Sequence, residues 1–203
     1  MGITITSAPN EKLAESCGPS RRIRSFGIRA CAFACPNAGE CASFCYAKKG
    51  RYVFESVDSF RTRNLTLTLT EPKVFTDIMC GELAAYQYME GGEGVELYFR
   101  IHDSGDFYDE AYLGTWFRII RRFPGIRFYA YTKMVSMMEA HWDEKPDNLR
   151  IIYSYGGTED HLIPGHRPHA RVFGRNDPMD GYVDCSKDDL LVFGTDRVGL
   201  RIH

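Results

Sequence analysis

The sequence predicts an α/β protein built on a parallel sheet flanked by helices, and three observations carry that expectation. VELYFRIH (95–102), IRFYAYT (126–132) and LRIIYSY (149–155) are short apolar runs rich in β-branched and aromatic residues, the signature of buried strands. Between the first two, DEAYLGTWFRIIRRF (109–123) places Tyr112, Leu113, Trp116, Phe117 and Ile120 on one helical face. A strand, helix, strand order is a βαβ unit, which requires a crossover and hence parallel neighbours. The length of 203 residues fits a single domain spanning 1–203. A complete (β/α)8 barrel usually takes about 250 residues, so a barrel of this length would be truncated or partial.

The remaining elements follow in chain order. Residues 1–30 read as an irregular or short-strand entry in which ITIT (3–6) is the one alternating piece. VFESVDSFRTRNLTLTL (53–69) stays open between helix and strand, because its first half has helical spacing and its second is rich in Leu and Thr. EPKVFTDIMCGELAAYQYM (71–89) is a helix, with Pro72 in its first turn and Val74, Phe75, Ile78, Met79, Leu83 and Tyr86 recurring on one face. GGEG (91–94) ends it, and Pro124-Gly125 ends the helix at 109–123. KMVSMMEAHWDE (133–144) is expected to be helical, with Trp142 and Met134, Met137 and Met138 in the core. Beyond Gly156, short strands are expected at ARVF (170–173), LLVF (190–193) and GLRI (199–202).

Composition narrows the function. A net charge of −2 with scattered basic residues is not the footprint of a dedicated nucleic-acid binder, although RRIR (21–24) and FRTR (60–63) remain local phosphate-contact candidates against the plainer reading of a solvated surface. The chain has neither an apolar run of membrane-spanning length nor a secretory h-region, so a cytoplasmic location is expected. In a reducing compartment, seven cysteines argue for metal or cluster ligation over disulfides.

Four of those seven, Cys31, Cys35, Cys41 and Cys45, crowd into a loop at 31–52 with the spacing C-x3-C-x5-C-x3-C. Zinc sites commonly separate two ligand pairs by a dozen or more residues, whereas closely spaced cysteines in one irregular loop suit an iron–sulfur cluster. Pro36, Gly39, Ala38, Ala42 and Ser43 let backbone approach such a group, Phe44 and Tyr46 can shield it, and Lys48, Lys49 and Arg51 can offset its negative charge or simply face solvent.

In parallel α/β sheets reactive residues collect at the carboxyl ends of strands. Here those ends carry Arg100, His102, Asp103, Ser104 and Asp106, then Tyr131, Thr132 and Lys133, then Tyr153, Ser154 and Tyr155. His102, Asp103, Asp106 and Lys133 are the candidate proton-handling and catalytic groups. Each has a structural alternative: a histidine bonded to backbone, an Asp-Ser-Gly-Asp turn capping the next helix, a lysine in solvent.

CPNAGECASFCYAKKGRY, RIHDSGDF and RFYAYTK, in that order from Cys35 to Lys133, resemble the phage gene-product-88 family, with its CYA core, its H-x-SGDF strand end and its YAYTK-like segment. That family is itself similar to radical S-adenosylmethionine proteins. The resemblance implies a truncated barrel of radical S-adenosylmethionine type, a phage protein acting in the host cytoplasm, and a 4Fe-4S cluster held by Cys35, Cys41 and Cys45. Tyr46 takes the place of the aromatic that follows the last ligand. Cys31 either closes the site as a fourth ligand or leaves one iron open to S-adenosylmethionine or another small molecule. Tyr46, Lys48, Arg51, Arg100, Ser104 and Tyr131 are then the expected cofactor-binding residues, and the partners a small-molecule substrate or an electron donor.

Two other classes compete. One is a non-enzymatic module in which zinc or a cluster staples a loop that grips nucleic acid or a host protein through Arg21, Arg22, Arg24, Lys48, Lys49 and Arg51. The other is a metal-dependent hydrolase using Asp103 and Asp106 with His161, His166 and His169.

Overall fold

The computed structural model describes residues 3–8 and 11–202, without the side chains of residues 11 and 12. Seven strands, β1 (Arg21–Phe26), β2 (Glu96–Ile101), β3 (Ile126–Thr132), β4 (Leu149–Ser154), β5 (His169–Phe173), β6 (Val183–Asp184) and β7 (Arg197–Arg201), form one sheet in the order β1-β2-β3-β4-β5-β7-β6. Every strand pair is parallel, and the sheet curls into a half-barrel flanked by helices.

Six helices accompany it: α1 (Glu11–Glu15), α2 (Cys41–Phe44), α3 (Glu55–Thr70), α4 (Pro72–Glu90), α5 (Glu110–Arg121) and α6 (Val135–Ala140). Alternation along the strands divides the molecule into two cores. Leu97, Phe99 and Ile101 of β2 and Phe128 and Ala130 of β3 face outward, against Phe75, Met79 and Leu83 of α4 and Trp116 and Ile120 of α5. Ile23, Tyr98, Tyr129, Ile152 and Val198 face inward, where Leu13 of α1 and Leu190 and Val192 fill the half-barrel. Among the described residues no helix is long and apolar enough to cross a membrane.

The helices start where local chemistry dictates. Pro72 opens α4, its missing N–H costing nothing in a first turn. Asp109 caps α5 by accepting the Tyr112 N–H at 2.7 Å, and Arg118 and Arg121 sit in the last turn, where cations oppose the helix dipole.

Two open readings are resolved and two expectations need correction. Residues 21–26, within the stretch read as an irregular or short-strand entry, form the short strand β1. ITIT makes no strand; the chain pairs there only through an antiparallel bridge from Ser7 to Ser25. The open segment 53–69 is helical, and its buried stripe is polar: Arg61, Asn64 and Thr68. LLVF lies in a 3-10 helix, Asp189–Phe193, because its apolar side chains plug the inner core rather than extend the sheet.

Candidate functional site

The cysteine loop leaves the carboxyl end of β1 and lies across the ends of β2 and β4. Its first residues are stitched to the turn after β2. Asp103 N–H donates to Phe26 O at 2.9 Å, Ile28 N–H to Ser104 O at 3.0 Å, Ser104 Oγ to Ile28 O at 2.7 Å and Asp106 N–H to Ala34 O at 2.8 Å. Gly105 turns this segment at φ +84°, and a Cβ there would overlap the Ile28 side chain. The far part of the loop is tied to the segment after β4, where Cys41 N–H donates to Gly156 O at 3.0 Å and Thr158 N–H to Asn37 O at 3.0 Å. The SGDF motif and the glycines at 156 and 157 therefore act as the seat of the loop.

Cys31, Cys35, Cys41 and Cys45 are all unoxidised and half-buried, and Cys35 is central. Its thiol is pushed up to about 12, first by burial, then by the carboxylate of Asp106 and by Cys45, Cys41 and Cys31. Burial also raises Cys41, against the opposing charge of Lys133. The other cysteines lie elsewhere: Cys80 in the helix-side core, Cys185 and Cys17 in the inner one. Among the described residues no three His, Cys, Asp or Glu side chains are gathered as a site for a single metal ion.

The strand-end residues separate into three groups. Asp106 is buried and accepts from Thr132 Oγ1 at 2.6 Å and from the N–H groups of Lys133 and Phe107, each at 2.8 Å, while burial raises its pKa. Lys133 Nζ donates to Ser154 Oγ at 2.8 Å. Asp106 acts on both Cys35 and Cys41, raising each, and Lys133 opposes it at Cys41.

A second group runs from the loop into the half-barrel. Asp103 receives both Nη atoms of Arg61, at 2.6 and 2.9 Å, and Arg61 also donates to Ser104 Oγ at 2.8 Å. A Cβ on Gly27 would collide with this pair. The Arg61 guanidinium lies 4.5 Å over the Tyr52 ring, and Tyr46 stacks edgewise on Tyr52. Although half of Tyr46 is exposed, its hydroxyl reaches inward and donates to the Asp103 carbonyl. Deeper still, Arg100 pairs with Asp189 at 3.0 Å, and Asp189 also accepts from Tyr129 at 2.6 Å and Tyr131 at 3.2 Å. Asp189 is fully buried and its N–H donates to Ser16 Oγ at 2.8 Å.

The third group is not at the site. His102, with φ +60°, turns its ring into the aromatic core between Phe26, Phe107, Tyr112 and Trp116. Nε2 lies 2.9 Å from the Tyr112 hydroxyl, Nδ1 has no partner among the described residues, and burial lowers the pKa to about 3. A neutral histidine walled by rings does not face the cleft expected for it. Lys48 and Arg51 stand on the exposed outer side of the loop. The hydrolase arrangement is absent as well. His161 and His166 are exposed, and His169 packs between Tyr155 and Tyr182.

Sequence reasoning missed Arg61, Asp189, Gly27 and Tyr52. FRTR did single out the segment of Arg61, but as a surface patch; nothing near Asp189 in the chain marks it as the partner of Arg100.

The fold and site define a class: a parallel half-barrel α/β protein with a four-cysteine loop seated over its strand ends. The chain belongs to the family described as Gene product 88, which it matches over residues 7–198. Curated relatives are the Gene 88 proteins of Mycobacterium phage L5 and Mycobacterium phage D29, each 32% identical over 125 residues, or 60% of this chain. The matched part is 52% of each relative, so the chain spans about half the length of these proteins. No solved structure matches the chain.

Proposed function

We propose that this protein binds a 4Fe-4S cluster through Cys31, Cys35, Cys41 and Cys45, and that the cluster serves a redox or radical-type activity at the carboxyl ends of the strands. The observation that carries the reading is the placement of the loop: Cys31, Cys35, Cys41 and Cys45, all half-buried and without disulfides, lie together over the carboxyl ends of the strands, near enough that Cys35 feels the other three. A metal centre would stabilise the thiolate form that burial disfavours, releasing the thiol protons as it binds. A cluster suits the donor set better than one ion, since it spreads its thiolates around a larger body and needs no three ligands converging on a point.

The chain's own groups divide the work. Gly156 brings backbone within ordinary packing distance of Cys41, and Gly39 packs closely on the backbone of Gly156 and Gly157. Lys133 holds a positive charge near Cys41 and is steadied by Ser154, while Asp106 ties the ends of β2 and β3 together behind the loop. Arg100, Ser104, Tyr131 and the hydroxyl of Tyr46 are engaged with Asp189, Arg61, Ile28 and the Asp103 carbonyl, so a cofactor or substrate would meet them only by exchanging these partners. When bound, the cluster would supply electrons or activate S-adenosylmethionine at an open iron, the radical-type version of this reading.

The test is iron, sulfide and zinc content with an electronic spectrum, on protein purified without oxygen, for wild type and Cys31→Ala. Roughly four irons and four sulfides per chain in wild type are expected. Retention of that content in Cys31→Ala would assign the open-iron form, and its loss the closed one. Zinc without sulfide would overturn the proposal.

A further inference from the structure

We propose that the outer lip of the cysteine loop, with the groove beside α3, is a docking track for single-stranded nucleic acid. The structure sorts the basic residues of the sequence into two kinds. Arg21 pairs with Asp188, Arg24 with Glu90 and Arg61 with Asp103, and Arg22 donates to backbone carbonyls. These cations are consumed by the fold. Lys48, Lys49 and Arg51 are exposed and form no ion pair among the described residues, and no acidic residue occurs from Cys41 to Phe54. On a chain of net charge −2, that is a local concentration of positive charge.

Aromatic rings alternate with these cations. Tyr46 is 51% exposed and Phe54 59%, and Phe33, on the same loop, is 54%. Other large apolar side chains, Tyr88 and Met89 among them, are exposed too, so the mark of this strip is the interleaving of rings with cations rather than exposure alone. Phe54 stands at the start of α3, and one turn further along that helix begins an open groove of about 580 Å³, lined by Arg29, Arg63 and the hydroxyl residues Ser59, Thr62 and Thr66. Arg29 neutralises Asp58, the one carboxylate lining the groove, at 2.9 Å.

The interleaving selects the occupant. Rings separated by ammonium and guanidinium groups, leading into a groove of hydroxyls and arginines, match the alternation of base faces and phosphates along a single strand. A protein partner would favour a contiguous apolar centre with charges at its rim, whereas here lysines break the apolar surface. The track includes no cysteine and does not depend on the metal content of the loop.

The experiment is fluorescence anisotropy of a labelled oligo-dT of about a dozen nucleotides, with the full chain purified without oxygen and iron measured on the same sample. Binding near 50 mM salt that weakens steeply as salt is raised is expected. Lys48→Glu with Lys49→Glu should weaken it by about tenfold or more, and Phe54→Ala by several-fold. Arg175→Glu with Lys187→Glu, the same charge change at exposed positions away from the track, should leave it within about twofold. No binding at low salt, or equal loss in both double variants, would overturn the proposal. So would displacement of the oligonucleotide by polyglutamate as effective as that by unlabelled oligo-dT, which would assign the lip to an acidic protein. Iron-free protein that still binds oligo-dT would defeat the cluster reading alone, and iron-loaded protein that does not bind would defeat this one alone.

Discussion

Arg61, from the middle of α3, grips Asp103, just past the end of β2, with two hydrogen bonds of 2.6 and 2.9 Å in a pocket almost closed to solvent. The pair joins the helix to the segment that seats the cysteine loop, and it exists because Gly27 presents no side chain there. A buried pair of this kind adds little net stability over apolar residues, but losing one partner strands the other charge.

Asp103→Ala is therefore expected to destabilise the fold by about 3–5 kcal/mol. Arg61→Met with Asp103→Leu should recover much of that loss. Denaturant midpoints of the single and double variants check the coupling; additive effects would remove the pair from this role.

The inner network predicts a parallel result. Asp189→Asn leaves Arg100 with a neutral partner and weakens the acceptor of Tyr129 and Tyr131, so a loss of about 3 kcal/mol is expected. Thermal unfolding would register it, and a stability equal to wild type would show that the network is not a support.

His102 gives a pH dependence whose sign is fixed. Its pKa falls from 6.5 when unfolded to about 3 when folded, because burial disfavours the charged ring. The stability it contributes is present above about pH 6.5 and is lost as pH falls toward 3, by roughly 3 kcal/mol at pH 4. His102→Gln should be less stable at pH 7 and should flatten the slope of stability against pH between 4 and 6.5. An unchanged slope in the variant would refute the assignment.

Gly105→Ala combines a positive φ with a collision against Ile28. A cost of about 1–3 kcal/mol is expected, with faster alkylation of the loop cysteines as their seat loosens. Mass-spectrometric mapping of the modified thiols would distinguish this from uniform unfolding, in which Cys80 reacts equally.

What could be read beforehand follows from where the information lies. β2, β3 and β4 were legible because burial on both faces leaves nearly continuous apolar runs, and the cysteine loop because its residues are neighbours in the chain. β1 was not, because RRIRSF is an edge strand whose arginines find their partners, Asp188 and Glu90, in distant segments. Helix α3 hid its period by burying Arg61, Asn64 and Thr68; the carbonyls of Ile5 and Gly27 that satisfy Asn64 belong to other elements. A short apolar run such as LLVF is ambiguous by nature, and the half-barrel's need for a plug decided it. His102 was placed at the right strand end but assigned the wrong face, since a left-handed backbone turn at a histidine leaves no trace in sequence.

The tie between Cys41 and Gly156 also orders events in time. The thiols lie early in the chain, yet their seat comes in two instalments: the turn after β2 holds the first part of the loop, and the segment after β4 holds the part with Cys41. As the polypeptide leaves the ribosome its cysteines emerge before either half of that seat. The loop is therefore complete only when both parts of the chain have met, and a chain ending before Gly156 would lack the partner of the Cys41 N–H.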